Sequence, residues 1–82
     1  MKYILTPHAR RRMTERAIPE GIIEDALQKP TKVLYDNKGR LLIKKAYTKR
    51  GKERLLLIAA EIGTDTLEII TIIDTSKVKK YL

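Results

Sequence analysis

The sequence contains no cysteine, no phenylalanine and no tryptophan, and it has a single histidine. Without cysteine it can form neither a disulfide framework nor a thiolate metal site, and one histidine cannot build a zinc site unaided. The hydrophobic residues are mostly aliphatic, with four tyrosines added. We therefore expect a thin core that depends on packing alone, and we expect neither a metal nor a cofactor.

Long hydrophobic runs are also missing. No apolar stretch approaches the roughly 20 residues that span a bilayer, and the opening MKYILTPH is too short to serve as a signal peptide. We expect a cytoplasmic chain without a membrane partner. With 82 residues, the chain is long enough for one domain, 1–82, which would bury only somewhat more than ~60% of its unfolded surface.

Charge of one sign is in excess. Lys and Arg number 18 against ten Asp and Glu, which leaves a net charge of +8. Such a density attracts polyanions, namely RNA, DNA or an acidic protein. The basic residues are spread over several predicted elements, whereas a membrane-surface segment would gather them on one amphipathic helix. The alternative is an ordinary charged surface that keeps the domain soluble.

The order of patterns predicts an α+β domain. Thr6 and Pro7 suit the start of a first helix that runs to about Ala17, and a second helix fits between Pro19 and Pro30. Four strands follow, with the sequences KVLY, RLLIKKAYT, RLLLIAAEI and LEIITIID, separated by turns at hairpin spacing. The sequence therefore predicts two helices packed on one face of a three- to four-stranded antiparallel sheet.

The first helix carries the residues with the most chemistry. At 3.6 residues per turn, His8, Arg12 and Arg16 share one face. An imidazole can accept a proton, and a guanidinium can hold two phosphate oxygens and stabilise charge that builds up at phosphorus. Metal-free RNA cleavage needs a base, an acid and such cations. The alternative is a solvated basic helix face, which is common in proteins without a site there.

The stretch HARRRMTERAIPEGIIEDALQKP, a short meander and then IITIIDTSKVKKYL together resemble a small family of bacterial and archaeal domains of unknown function. That family is similar to the RelE-like toxins and ribonucleases. The resemblance implies a RelE-like fold, RNA cleavage without a metal and an antitoxin partner. One departure is Pro19, which stands where a Ser or Thr cap is usual and affects helix geometry more than chemistry.

The resemblance also implies particular site residues. His8 and Arg16 match the functional helix positions of the family, Thr71 matches a strand threonine, and Tyr81 matches a tyrosine near the C-terminus. Tyr81 would act as the general acid or stack on a base, although anchoring the C-terminal segment is a commoner role. Thr71 is equally at home as a plain strand residue. The residues expected to contact nucleic acid are Arg12, Lys45, Thr71 and Lys80.

The leading hypothesis is a metal-independent endoribonuclease of the toxin type, with His8, Arg16 and Tyr81 as its catalytic residues. A nucleic-acid-binding domain without catalysis would use the same basic surface. So would a domain that binds an acidic protein, including an antitoxin. The sequence leaves the oligomeric state open.

Overall fold

The structure, a computed structural model, describes residues 2–82, which form three helices and five strands. No helix among these residues is long and apolar enough to cross a membrane. The elements in chain order are β1 (Lys2–Leu5), α1 (Pro7–Glu15), α2 (Glu20–Gln28), β2 (Lys32–Tyr35), β3 (Arg40–Lys49), β4 (Lys52–Ile62), β5 (Thr66–Thr75) and α3 (Val78–Tyr81).

The sheet has the strand order β1-β5-β4-β3-β2. The strands β2 to β5 form the predicted antiparallel meander. The predicted number and type of strands were wrong, because β1 pairs in parallel with β5 and makes the sheet five-stranded and mixed. This pairing joins residues 2–5 to residues 66–69. No local turn connects the two segments, so a pattern of strands and turns could not indicate it.

The helices α1 and α2 pack on one side of the sheet, which we call the helix face. Ala9, Ile23 and Ala26 of the helices join a buried cluster with strand residues on this face. The strand members that are at most 5% exposed are Ile43, Leu56, Ile58, Ala60, Leu67, Ile69 and Ile72. The prediction that both helices cover the same face is confirmed.

The other side of the sheet, which we call the open face, carries only the short helix α3. Lys44 of this face donates to the carbonyl of Tyr81 at 2.5 Å, and Leu55 beneath is fully buried. The C-terminal segment therefore docks against the sheet through its backbone carbonyl groups. The rest of the open face, formed by Leu34, Leu42, Leu57, Ala59, Thr71 and Ile73, is less covered, and Ile73 is 50% exposed.

A β-bulge interrupts β5 in its middle. Ala59 pairs with Thr71 whereas Ala60 pairs with Ile69, so Ile70 has no partner of its own on β4. Because side chains alternate along a strand, this extra residue keeps Ile69 and Ile72 on the same face. The bulge explains why the apolar run IITII does not alternate.

The helix α1 ends in a Schellman motif with an unusual residue. The Ile18 amide donates to the Met13 carbonyl at 2.9 Å, and the Ala17 amide donates to the Thr14 carbonyl at 3.2 Å. Ala17 consequently has φ of 50°, in the left-handed region where glycine is usual. A side chain there costs about 1–2 kcal/mol.

We predict that Ala17→Gly stabilises the domain by about 0.5–1 kcal/mol, the relief of this strain less the extra entropy of a glycine in the unfolded chain. Urea unfolding measures the difference. Ala46→Gly is the matched control, since Ala46 is exposed on β3 in extended conformation and its replacement should destabilise. A loss of stability in Ala17→Gly would contradict the account.

Candidate functional site

Thr6 positions the first turn of α1, which carries His8, against β5. Its amide donates to the Ile69 carbonyl at 3.1 Å, and its hydroxyl donates to the Ile70 carbonyl at 2.9 Å. The same hydroxyl oxygen accepts from the Ala9 amide at 3.1 Å, as an N-cap does. The start of α1 is therefore attached to the bulge of β5.

This attachment brings His8 to Thr71. The Nε2 atom of His8 lies 3.1 Å from the Thr71 hydroxyl, within hydrogen-bond distance. His8 is exposed, so solvent reaches the imidazole. Of the residues expected at the site, these two are in direct contact.

Arg16 lies two helical turns from His8, at the C-cap of α1. There it lines a cleft of about 490 Å³ together with the β3–β4 hairpin. Five of the seven lining residues are basic: Arg16, Lys49, Arg50, Lys52 and Arg54. We call these five residues the basic cleft. Arg12 lies on the helix between His8 and Arg16 and is partly buried.

The hairpin of the basic cleft has a two-residue turn. Lys49 pairs with Lys52, and the two residues between them, Arg50 and Gly51, have φ values of 52° and 77°. This is the type I′ geometry, which favours Asn, Asp or Gly at both positions. An arginine at the first position is therefore less stable than the usual turn residues, and it places a cation at the tip.

Beneath the hairpin, Arg54 is held by a carboxylate. Its Nε atom lies 3.1 and 3.0 Å from the two carboxylate oxygens of Asp74. The Tyr47 hydroxyl donates to the same carboxylate at 2.7 Å. The Asp74 side chain is only 7% exposed, so its charge is largely satisfied by these two partners. These bonds are made by Nε, and 28% of the Arg54 side chain is exposed at the cleft.

The contacts perturb two of these groups. Burial, followed by the hydrogen bond to Asp74 and the charge of that residue, raises the pKa of Tyr47 from 10.0 to about 12. The pKa of Arg54 is also raised; burial opposes this shift, and the charge of Asp74 and its hydrogen bond outweigh burial. Arg54 is therefore a permanent cation at the floor of the cleft.

The remaining predicted residues lie elsewhere. Lys45 points to the helix face, where Nζ donates to the Lys29 carbonyl at 2.7 Å and lies 3.2 Å from Asp25. With 17% of its side chain exposed, Lys45 serves the C-terminal end of α2. Tyr81 and Lys80 belong to α3 on the open face, and the Lys80 ammonium lies 5.4 Å from the Tyr81 ring centre.

Sequence reasoning missed Arg54, Asp74 and Tyr47. The signal for one contact was present: a two-residue turn at Arg50 and Gly51 fixes the register and places Tyr47 opposite Arg54. The contact of Asp74 with Arg54 could not be predicted in this way. Its position on the helix face depends on the register of β4 and β5, in which the bulge shifts the pairing.

No group of three or more His, Cys, Asp or Glu side chains that could hold a metal ion occurs in residues 2–82. The site is thus a lone histidine on a helix that leads to a basic cleft, in a small α+β domain. Residues 5–79 match the family described as a domain of unknown function, DUF4258. The chain belongs to this family, as its sequence resemblance indicated. No curated protein and no solved structure matches it significantly.

We predict that Tyr47→Phe destabilises the domain by about 1 kcal/mol at neutral pH, because one hydrogen bond to a buried carboxylate is lost. The raised pKa means that the hydroxyl stabilises the folded state fully below pH 10.0 and loses this effect as the pH rises through about 12. The stability difference between wild type and Tyr47→Phe should therefore shrink over that interval.

Denaturant unfolding at several alkaline pH values measures this difference. Tyr35→Phe is the control, because the Tyr35 ring is 72% exposed and its stability difference from wild type should stay near zero. A gap for Tyr47→Phe that does not narrow would contradict the assigned hydrogen bond.

Proposed function

We propose that this domain binds single-stranded RNA along α1 and the β3–β4 hairpin and cleaves it as a metal-independent endoribonuclease of the toxin type. The observation that carries the proposal is the continuity of His8, Arg12 and Arg16 with the basic cleft. Along a helix, His8 and Arg16 are about 12 Å apart. An extended polyanion can therefore contact the cleft while one of its sugars lies beside the imidazole.

His8 is the proposed base. In the tautomer that carries its proton on Nε2, the imidazole donates to Thr71 and presents Nδ1 as a proton acceptor. The 2′-oxygen attacks the adjacent phosphorus, its proton passes to Nδ1, and the bond from phosphorus to the 5′-oxygen breaks. The products are a 2′,3′-cyclic phosphate and a 5′-hydroxyl. Arg12, one turn from His8, stabilises the charge on the phosphorane oxygens. Arg16 holds another phosphate of the strand in the basic cleft.

Tyr81 is the proposed acid for the leaving 5′-oxygen. The helix α3 carries it to the open face, which is also the face of Thr71. Its carbonyl is held by Lys44 on β3, about 10 Å from β5 because β4 runs between them. Proton transfer from Tyr81 therefore requires the C-terminal segment to move toward Thr71, since an acid acts only within hydrogen-bond reach. Lys80, beside the Tyr81 ring, would attract the same strand. Lys45 takes no part, because its ammonium is bonded to the end of α2.

The proposal includes a likeness to the RelE-like ribonucleases and a protein antitoxin that blocks the site. The support is the family resemblance and the basic cleft, to which an acidic segment would also bind. Binding RNA without cutting it is the other function that the same surface supports.

We predict that His8→Ala lowers RNA cleavage in EDTA by about 10²–10⁴-fold, the usual contribution of a general base, and leaves RNA affinity nearly unchanged. Arg16→Ala should weaken binding and reduce the slope of log affinity against log salt by about 0.7, the value for one phosphate contact on a single strand. Gel analysis of a mixed RNA and a salt titration measure the two effects.

Arg10→Ala is the matched control for Arg16→Ala, because Arg10 is an exposed arginine of the same helix that does not line the basic cleft. Thr71→Val tests the positioning role: it should lower the cleavage rate with unchanged affinity. Binding without cleavage by the wild type would leave only the RNA-binding function. If the wild type neither binds nor cleaves RNA, both proposed functions are wrong.

Arg50→Asn separates stability from function. Arg50 has φ of 52°, and asparagine tolerates this left-handed conformation at the first position of a type I′ turn, so we predict a gain of about 0.5 kcal/mol in stability. The same change removes one cation and should reduce the salt slope of RNA binding by about 0.7. Thermal unfolding and the salt titration together check it. A more stable variant with an unchanged salt slope would place Arg50 outside the RNA site.

A further inference from the structure

The strand β2 forms one edge of the sheet, and its outward hydrogen-bonding groups are uncovered. The sheet order ends at β2, whose only strand partner in residues 2–82 is β3. The Asp36 amide donates to the Arg40 carbonyl at 3.1 Å, so Asp36 and Arg40 are a hydrogen-bonded pair at the end of the β2–β3 ladder. By the alternation of antiparallel ladders, the backbone groups of Val33 and Tyr35 point away from β3.

Two large apolar side chains of this edge are exposed. Leu34 is 40% exposed on the open face, and Tyr35 is 72% exposed on the helix face. A hollow of about 300 Å³ adjoins the edge on the helix face, and one of about 310 Å³ adjoins it on the open face. Natural sheets usually protect such an edge with charge, proline or a covering segment.

We propose that β2 pairs antiparallel with β2 of a second copy of this chain, in the register that places Leu34 opposite Leu34 of the second copy. This register joins the five-stranded sheets of the two copies into one continuous sheet. It uses all the outward groups of β2, because Val33 of each copy lies opposite Tyr35 of the other and the two exchange both backbone hydrogen bonds.

The charges on this edge are self-complementary in the same register. Lys32 of each copy lies opposite Asp36 of the other, so two opposite-charge pairs flank the Leu34 pair on the open face. To form its pair, each Lys32 ammonium exchanges its contact with the Leu82 carbonyl, 3.4 Å away, for the carboxylate. The pKa of Asp36 is already lowered by its hydrogen bonds from the Arg40 and Lys38 amides, and the carboxylate stays charged at neutral pH. On the helix face, Tyr35 meets Val33, an aromatic and β-branched pair that favours strand association.

The opposite edge of the sheet lacks this complementarity. The strand β1 has the sequence KYIL, with one basic residue and no acidic one. Antiparallel pairing of two β1 strands would leave Lys2 without an opposite charge. The self-complementary pattern therefore assigns the second copy to β2. Because β2 has only four residues, the interface is small and the dimer should exchange rapidly with monomer.

The test is sedimentation of the wild-type protein over a wide concentration range. We expect a reversible monomer–dimer equilibrium, with amide exchange of Val33 and Tyr35 slowing as the concentration rises. The Leu34 amide should not respond, since it is already bonded within the monomer. A single monomeric species up to about 1 mM would overturn the proposal, because the dissociation constant would then lie well above about 1 mM.

Leu34→Lys places two like charges at the two-fold axis and should weaken dimerisation at least tenfold. Ile73→Lys is the matched control: Ile73 is an exposed apolar residue of the same open face, but it lies on β5, three strands away from β2. Circular dichroism checks that both variants stay folded.

The dimer should survive Ile73→Lys. If Ile73→Lys disrupts it as strongly as Leu34→Lys does, the copies associate through their open faces and the edge pairing is wrong. Lys32→Glu gives an independent result, since it sets a second carboxylate against Asp36 of the other copy and should weaken the dimer more in low salt than in high salt. Equal effects at both salt concentrations would reject the proposed register.

Discussion

The candidate site depends on three hydrogen bonds made by one residue, Thr6. They connect the end of β1, the first turn of α1 and the bulge of β5. This connection sets the position of the first turn of α1 along β5, and with it the distance between His8 and Thr71. A short polar side chain suits this place because a single hydroxyl can both cap a helix and donate to a strand carbonyl.

The local parts of the fold were predictable from sequence because local chemistry determines them. Thr6 and Pro7 begin α1 as predicted, and the four strands of the meander lie where the alternation and turns placed them. The strand β1 was missed because its partner lies at the other end of the chain. The four-residue helix α3 has no pattern of its own; its docking follows from Lys44 and Lys32, which reach the carbonyls at the chain end.

The candidate site was predictable only in part, for a similar reason. The spacing of His8, Arg12 and Arg16 is a helical property, so the sequence alone predicted that they follow one another along α1. Thr71 was among the predicted site residues because it matches a family position, and its hydroxyl lies within hydrogen-bond distance of the His8 imidazole. Lys45 shows the limit of reading charge alone, because α2 uses its ammonium. Arg54 and Asp74 meet only once the register of three strands is known.

The bulge at Ile70 has a consequence for how the sequence can change. If this one position were removed, the residues from Leu67 to Asp74 would alternate without interruption, and every core side chain of β5 would keep its face. What would be lost is the carbonyl that receives the Thr6 hydroxyl, one of the two hydrogen bonds that join the start of α1 to β5. The packing of this strand and the placement of its histidine neighbour are therefore separable by a single residue. An insertion or deletion at this point would change the position of His8 relative to Thr71 and leave the core side chains of β5 on their face of the sheet.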